Sequence, residues 1–244
     1  MCEKQVIDLH CHILPGMDDG SPDVETSLAL LRRQAKQEVN IACATSHYYA
    51  WKETIPDFVE RRGQAAAKLR QAVQHAPDRE TLPGICLGSE VAFFPGISKC
   101  DYLDPLCLEQ TRTLLLEMPF SDWSTKEVEE VISLVLDRDY RVVLVHPERF
   151  CFSEGNQRHL EKLTNLHLAF QVNADTFCAW KTRKRALELL SMARYPLLGS
   201  DCHNLTTRAP HLASARKVIA RKLGKSMLDQ VDACAAEWCG AISL

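Results

Sequence analysis

Short apolar runs of β character alternate with helical segments along this chain, and nearly every run ends in a side chain that can ionise. The runs fall at residues 6–12, 40–46, 85–91, 113–118, 141–146, 167–173 and 196–201. Between them, residues 23–38, 58–75, 124–137, 155–163, 182–192 and 210–223 read as helices. Val24, Leu28, Leu31 and Ala35 show the spacing in the first of these. Ser124-Thr-Lys-Glu127 is a capping-box pattern, which places the start of the third. Strand–helix alternation of this kind builds a parallel sheet or barrel. No repeat, low-complexity tract or long linker divides the chain, so one domain is expected over residues 1–244.

The ionisable ends follow a pattern. Asp8-Leu-His10-Cys-His12 closes the first run, and Met17-Asp18-Asp19-Gly20 follows in a turn. Alternate residues of a strand face the same way, so His10 and His12 point together while Cys11 points away. His47 follows the second run, Glu90 lies near the end of the third, Glu117 ends the fourth and His146 the fifth. Asp201 and His203 end the seventh. In a parallel barrel the strand ends of one polarity open on one rim, where barrel enzymes do their chemistry. Ionisable groups buried there unpaired would cost several kcal/mol each, and shared multivalent cations remove that cost. Imidazoles and carboxylates without thiolate suit Mn, Fe or Zn and argue against a structural zinc site. Arg149 and Arg208 follow proposed ligands closely and are placed to grip a phosphate, with a surface salt bridge as the plainer alternative. Tyr48, Tyr49, Trp51, Phe93 and Phe94 also come just after ligand positions, where they would line a mouth or pack in the core. His75, His159, His167 and His211 read as surface or capping groups.

Composition narrows the classes. A net charge of -3 shows no bias toward nucleic acid or a membrane surface. The eleven cysteines are odd in number and include no Cys-x-x-Cys, so neither a disulfide framework nor a thioredoxin-type site is indicated. Most lie in apolar runs, where a free cysteine acts as a small hydrophobe, and a reducing cytoplasm fits them. The first strand begins too early to leave room for a signal peptide, and no apolar run has transmembrane length, so no membrane insertion is expected.

The Asp8–Gly20 opening, Thr45-Ser-His47, Gly88-Ser-Glu90, Leu116-Glu117, His146-Pro-Glu-Arg149 and Ser200-Asp-Cys-His-Asn204 together resemble the polymerase and histidinol phosphatase (PHP) family of metal-dependent phosphoesterases. Within it, they look most like the manganese-dependent protein-tyrosine phosphatases of bacterial capsule and exopolysaccharide operons, the CpsB/CapC type. The matching pieces run from residue 8 to about 211. The opening motif, with Asp19 where many relatives carry histidine, is the piece most specific to that branch. The resemblance implies a distorted seven-stranded (β/α)7 barrel holding three divalent metal ions, manganese first, with iron or zinc as alternatives. It implies one ion on His10, His12, Glu90 and Asp201, a second on Glu90, Glu117 and His146, and a third on Asp19, His47 and His203. It further implies a phosphotyrosine protein as substrate, namely a capsule-associated tyrosine kinase. Thr206-Thr207 stand where relatives often carry glycine, which leaves the exact place of Arg208 open.

The expected reaction is phosphomonoester hydrolysis through metal-activated hydroxide, with Arg149 or Arg208 neutralising the phosphoryl oxygens. Histidinol phosphate or another small phosphate ester is the alternative substrate. Cys202 and Arg208 satisfy the Cys-x5-Arg spacing of cysteine-dependent tyrosine phosphatases, but the intervening loop has no glycine to wrap backbone amides around phosphate. A metal-dependent amidohydrolase also opens with His-x-His, although its last strand usually offers a lone Asp. A non-catalytic scaffold is the remaining alternative.

Overall fold

A computed structural model describes residues 5–241. Its elements are β1 (Ile7–Cys11), α1 (Val24–Ala35), β2 (Ile41–Ala44), β3 (His47–Tyr48), α2 (Ile55–His75), β4 (Gly84–Leu87) and β5 (Glu90–Ala92). There follow β6 (Thr113–Glu117), α3 (Thr125–Leu136), β7 (Arg141–Val145), α4 (Glu154–Leu163) and β8 (Leu168–Asn173). The chain then forms α5 (Ala174–Cys178), α6 (Trp180–Met192), β9 (Tyr195–Gly199), α7 (Leu212–Leu223) and α8 (Lys225–Trp238). The expected helix starts hold to within a few residues, and Ser124 makes the full capping box with Glu127. Helices α5 and α8 were not anticipated. The run after Lys225 is rich in alanine and cysteine, whose small side chains mark a buried face only weakly.

All strand pairs are parallel, but they do not form the single closed seven-stranded ring that the sequence led us to expect. They form a three-stranded sheet, β1-β2-β4, and a six-stranded sheet, β3-β5-β6-β7-β8-β9. The expected strands 40–46 and 85–91 are each broken, at Thr45-Ser46 and at Gly88-Ser89. Arg62, buried on α2, holds the second break open by donating to Gly88 O at 2.9 Å and Ser89 Oγ at 2.8 Å. A Cβ on Gly88 would lie 2.5 Å from Leu108 Cδ2, so a larger residue there would have to displace that buried side chain. β1 meets the end of β9 through an isolated bridge between Cys11 and Cys202. Asp201 N–H donates to His10 O at 2.8 Å beside it.

The strands divide their side chains between two cores. One set, including Leu114, Leu116, Val142, Leu144, Phe170 and Leu198, packs against the helices. The other, including Ile7, Leu9, Leu115, Val143, Ala169 and Leu197, packs together and against the end of α8. Trp238 is fully buried there, and its carbonyl accepts from Thr113 Oγ1 at the start of β6. α8 therefore seals the N-terminal ends of the strands, leaving the C-terminal ends as the open side. Among the described residues, no helix is long and apolar enough to cross a membrane.

Candidate metal centre

The nine proposed ligands come together past the C-terminal ends of β1, β2, β4 and β9 and at those of β6 and β7, with His47 and Glu90 opening the short strands β3 and β5. β1 delivers the first pair through an irregularity between Asp8 and Cys11. Strict alternation would turn Asp8 to the same side as His10 and His12. Asp8 instead accepts from Gln34 Nε2 on α1 at 2.6 Å, while Cys11 is acted on by Asp8, Gln34 and Cys202 on that outer side. The bulge thus leaves Leu9 in the inner core with His10 and His12 just above it. Asp201 also depends on unusual backbone: it and His146 have φ of 50° and 35°, left-handed values rare for residues with a Cβ. Such strain concentrates where side chains must be aimed.

Glu90, fully buried, is the hub. Its Oε2 lies 3.2 Å from Nε2 of both His10 and His12 and 2.9 Å from Nδ1 of His47. Its Oε1 lies 2.7 Å from His146 Nε2, which is 3.5 Å from Glu117. Asp201 Oδ1 stands 3.7 Å from His10 Nε2 and 3.4 Å from His12 Nε2. Asp19 Oδ1 lies 3.5 Å from His47 Nε2 and 3.3 Å from His203 Nε2. The ligand atoms of His10, His12, Glu90 and Asp201 fall within 4.8 Å of one another, as do those of His12, Asp19, His47 and His203, and those of His47, Glu90 and Glu117. His12 and His47 thus reach further groups than the sequence-based scheme gives them, because the three groups are contiguous.

This donor set fits cations. Among the described residues, Glu90 Oε2, His47 Nδ1 and His203 Nε2 are buried without a well-formed hydrogen bond, although each has ligand atoms of its neighbours close by. Buried polar atoms are rarely left so; here their lone pairs face a shared centre. Burial and the nearby Glu90 push Glu117 up to about 7. Burial and the neighbouring His12 imidazole pull His203 down to about 3. A cation among these groups would favour ionised carboxylate and neutral imidazole together.

A surrounding layer aims the imidazoles by their other nitrogens. His10 Nδ1 bonds Gln171 Oε1 at 2.8 Å, His12 Nδ1 bonds Asp18 Oδ2 at 2.8 Å, and His203 Nδ1 bonds the Asp201 carbonyl at 2.9 Å. Asp18 also accepts from His47 N–H, so it supports two ligands from behind while Asp19 faces the centre. Asn173 donates to Asp201 Oδ2 at 2.8 Å. Gln171 and Asn173 were missed because neither ionises. Their signal was two amides one residue apart in an otherwise apolar strand. A Cβ on Gly199 would sit 2.7 Å from His10 Cβ, so glycine there keeps room for that ring.

Arg149 and Arg208 both lie at the rim and both hold Asp201. Arg208 Nη2 is 2.9 and 3.0 Å from its two oxygens, and Arg208 Nη1 reaches Asp19 Oδ2 at 3.4 Å. Cys202 is buried on the outer side against Gln34 and Cys11, away from the rim, which leaves the Cys-x5-Arg spacing without a nucleophile in reach. Of the five aromatics read from the sequence, Tyr48 and Phe93 are buried in the core and Phe94 packs against it. Tyr49 stacks on His47 at 5.3 Å, with the exposed Trp51 beside it. Phe120, which the sequence reading passed over, is exposed and lies parallel to His146 at 6.4 Å.

Known proteins share this architecture. The solved structure reported as that of YwqE from Bacillus subtilis and CpsB from Streptococcus pneumoniae, described as metal-dependent tyrosine phosphatases, matches with a TM-score of 0.82. That match has 24% identity and covers 96% of this chain and 94% of the other. N-isopropylammelide isopropylaminohydrolase from Burkholderia multivorans matches more distantly, with a TM-score of 0.51 and 14% identity, over 97% of this chain and 74% of its own. In sequence, the tyrosine-protein phosphatase CpsB of Streptococcus agalactiae is 28% identical over 240 residues, 93% of this chain and 94% of that protein. The tyrosine-protein phosphatase YwqE of Bacillus subtilis is 26% identical over 230 residues, 91% and 87% of the two. The family model for capsular polysaccharide synthesis, CpsB/CapC, matches residues 6–237, and the chain belongs to that family.

Proposed function

We propose that this chain is a metal-dependent protein-tyrosine phosphatase acting on a capsule-associated tyrosine kinase. The convergence of five imidazoles and four carboxylates around Glu90 carries the reading. In it, the two sheets count as one distorted seven-stranded ring of a single PHP-type domain working in the cytoplasm. Three divalent ions, manganese first, are held by His10, His12, Glu90 and Asp201; by Glu90, Glu117 and His146; and by Asp19, His47 and His203. Such ions supply Lewis acidity, activating water and withdrawing charge from phosphoryl oxygens.

The chain's own groups do the rest. Arg149 and Arg208 each spend part of a five-donor guanidinium on Asp201 and offer the remainder to phosphoryl oxygens at the rim. Tyr49 and Phe120 flank the cluster from the His47 and His146 sides, giving an aryl ester apolar faces to lie on. A phenolate leaving group, with a phenol pKa of about 10, needs little protonation.

The test is hydrolysis of p-nitrophenyl phosphate and a phosphotyrosine peptide by purified protein, with manganese and after chelation. Manganese-dependent turnover of both, with no turnover of simple amides, is the expected result. Amide hydrolysis, or no metal-stimulated turnover at all, overturns it. Preference for histidinol phosphate over the peptide would move the substrate to a small molecule.

A further inference from the structure

Three cysteines meet below the metal centre, in the inner core that α8 closes. Cys43 on β2 and Cys86 on β4 are register partners on neighbouring parallel strands. Cys239, the residue capping α8, comes against them from the C-terminal helix. Their sulfurs all lie within 4.8 Å of one another, with Cys43 Sγ 3.6 Å from Cys239 Sγ. The phosphatase reading uses none of them. We propose that Cys43, Cys86 and Cys239 form a three-thiol binding site for a trivalent thiophilic ion of the arsenite class.

Donor number, charge and access point to that ligand. Thiolate donors select soft centres over the hard or borderline ions suited to the histidine–carboxylate cluster. A structural zinc ion takes four protein ligands, and among the described residues this group contains three. Trivalent arsenic bonds three sulfurs and keeps a lone pair where a fourth ligand would stand. Three thiolates then cancel a 3+ centre, leaving a neutral complex. A divalent ion would leave one negative charge and a monovalent ion two. The groups acting most strongly on Cys43 and Cys239 are each other and Cys86, with no lysine or arginine among them to offset such a charge. The surroundings are apolar, including Leu108, Leu115 and Trp238, and buried net charge is disfavoured there. Cys43 and Cys239 are buried, whereas Cys86 is half-buried, the most accessible of the three.

The exchange balances without a redox partner. In arsenous acid three As–O bonds break and three S–As bonds form. Each thiol proton leaves with a hydroxide as water, and arsenic stays trivalent. Hydrogen bonds from the Cys43 and Cys86 thiols hold the Cys239 pKa below the usual thiol range, which eases the loss of its proton.

The test titrates the reduced, manganese-loaded full chain with arsenite, following sulfur–arsenic absorbance in the ultraviolet and intact mass under native conditions. One arsenic bound per chain with the loss of three hydrogens is expected, together with a raised Tm. Cys239→Ser and Cys86→Ser should each weaken binding by at least about 100-fold, two decades in Kd, and abolish the Tm rise. Cys202→Ser should bind as the wild type does. Melting curves without arsenite and the manganese-dependent turnover of each variant report whether it folds, and Cys86→Ser alters only a half-buried position. Loss of two hydrogens instead of three, unchanged binding in a folded Cys239→Ser or Cys86→Ser variant, or tighter binding of zinc than of arsenite at these thiols overturns the proposal.

Discussion

The two ends of the strands differ in chemistry although the same strands build both. Toward the N-terminal ends, Ile7, Leu9, Val143 and Leu197 close on Trp238 and on three thiols. At the C-terminal ends the same strands finish in His10, His146 and Asp201, and the enclosed space holds imidazoles and carboxylates. The lower end is sealed by a helix, so unpaired polar groups there would be costly and the side chains are apolar or soft. The upper end opens to solvent and its polar atoms face one another, an arrangement stable only with cations or protons shared among them. Stability and chemistry are thus separated along each strand. Changes below should act on folding, and changes above on turnover.

Four variants test that separation, in descending order of effect. Glu90→Gln removes the carboxylate charge that three imidazoles share. Manganese-dependent kcat should fall by about 1,000-fold, the upper end of what one strong electrostatic group supplies in a water-excluded site, while the circular dichroism spectrum is retained. Full activity in that variant would remove Glu90 from the centre. Trp238→Ala should cost about 3–5 kcal/mol of stability, read as a lowered urea midpoint, with kcat per folded molecule preserved. A fall in kcat without a fall in stability would show that the two ends are coupled. Asp18→Asn keeps shape but weakens the hold on His12 Nδ1 and His47 N–H. Manganese affinity should drop about 10–100-fold, as for other groups supporting metal ligands, and excess manganese should restore kcat. Phe120→Ala is the mildest: kcat/KM for a phosphotyrosine peptide should fall about 2- to 10-fold, the worth of one aromatic contact. Turnover of an alkyl phosphate should be unchanged, and an equal loss on both esters would deny Phe120 a part in aryl recognition.

Phe120 also shows how far the sequence could be read. His10, His12, Glu90, His146 and Asp201 stand out in print because an ionisable group ending an apolar run demands a partner wherever the run folds. Phe120 follows Glu117 as one aromatic among several, and only its exposed place over the His146 ring separates it from the core residue Phe93. Gln171 was silent for a related reason: an amide in a strand has many possible partners, and its bond to His10 joins positions 161 residues apart.

The strand–helix alternation, strand-end chemistry and the capping of α3 were determined by sequence alone, since periodicity, local caps and the cost of burying charge act on neighbours along the chain. Tertiary structure decided the breaks at Thr45-Ser46 and Gly88-Ser89, the bulge that lifts His10 and His12 over Leu9, and the meeting of Cys43 and Cys86 with Cys239. Each of these depends on which distant backbone packs alongside, as Arg62 does at Gly88. Such contacts leave no local pattern, because their energy belongs to the pair and not to either segment.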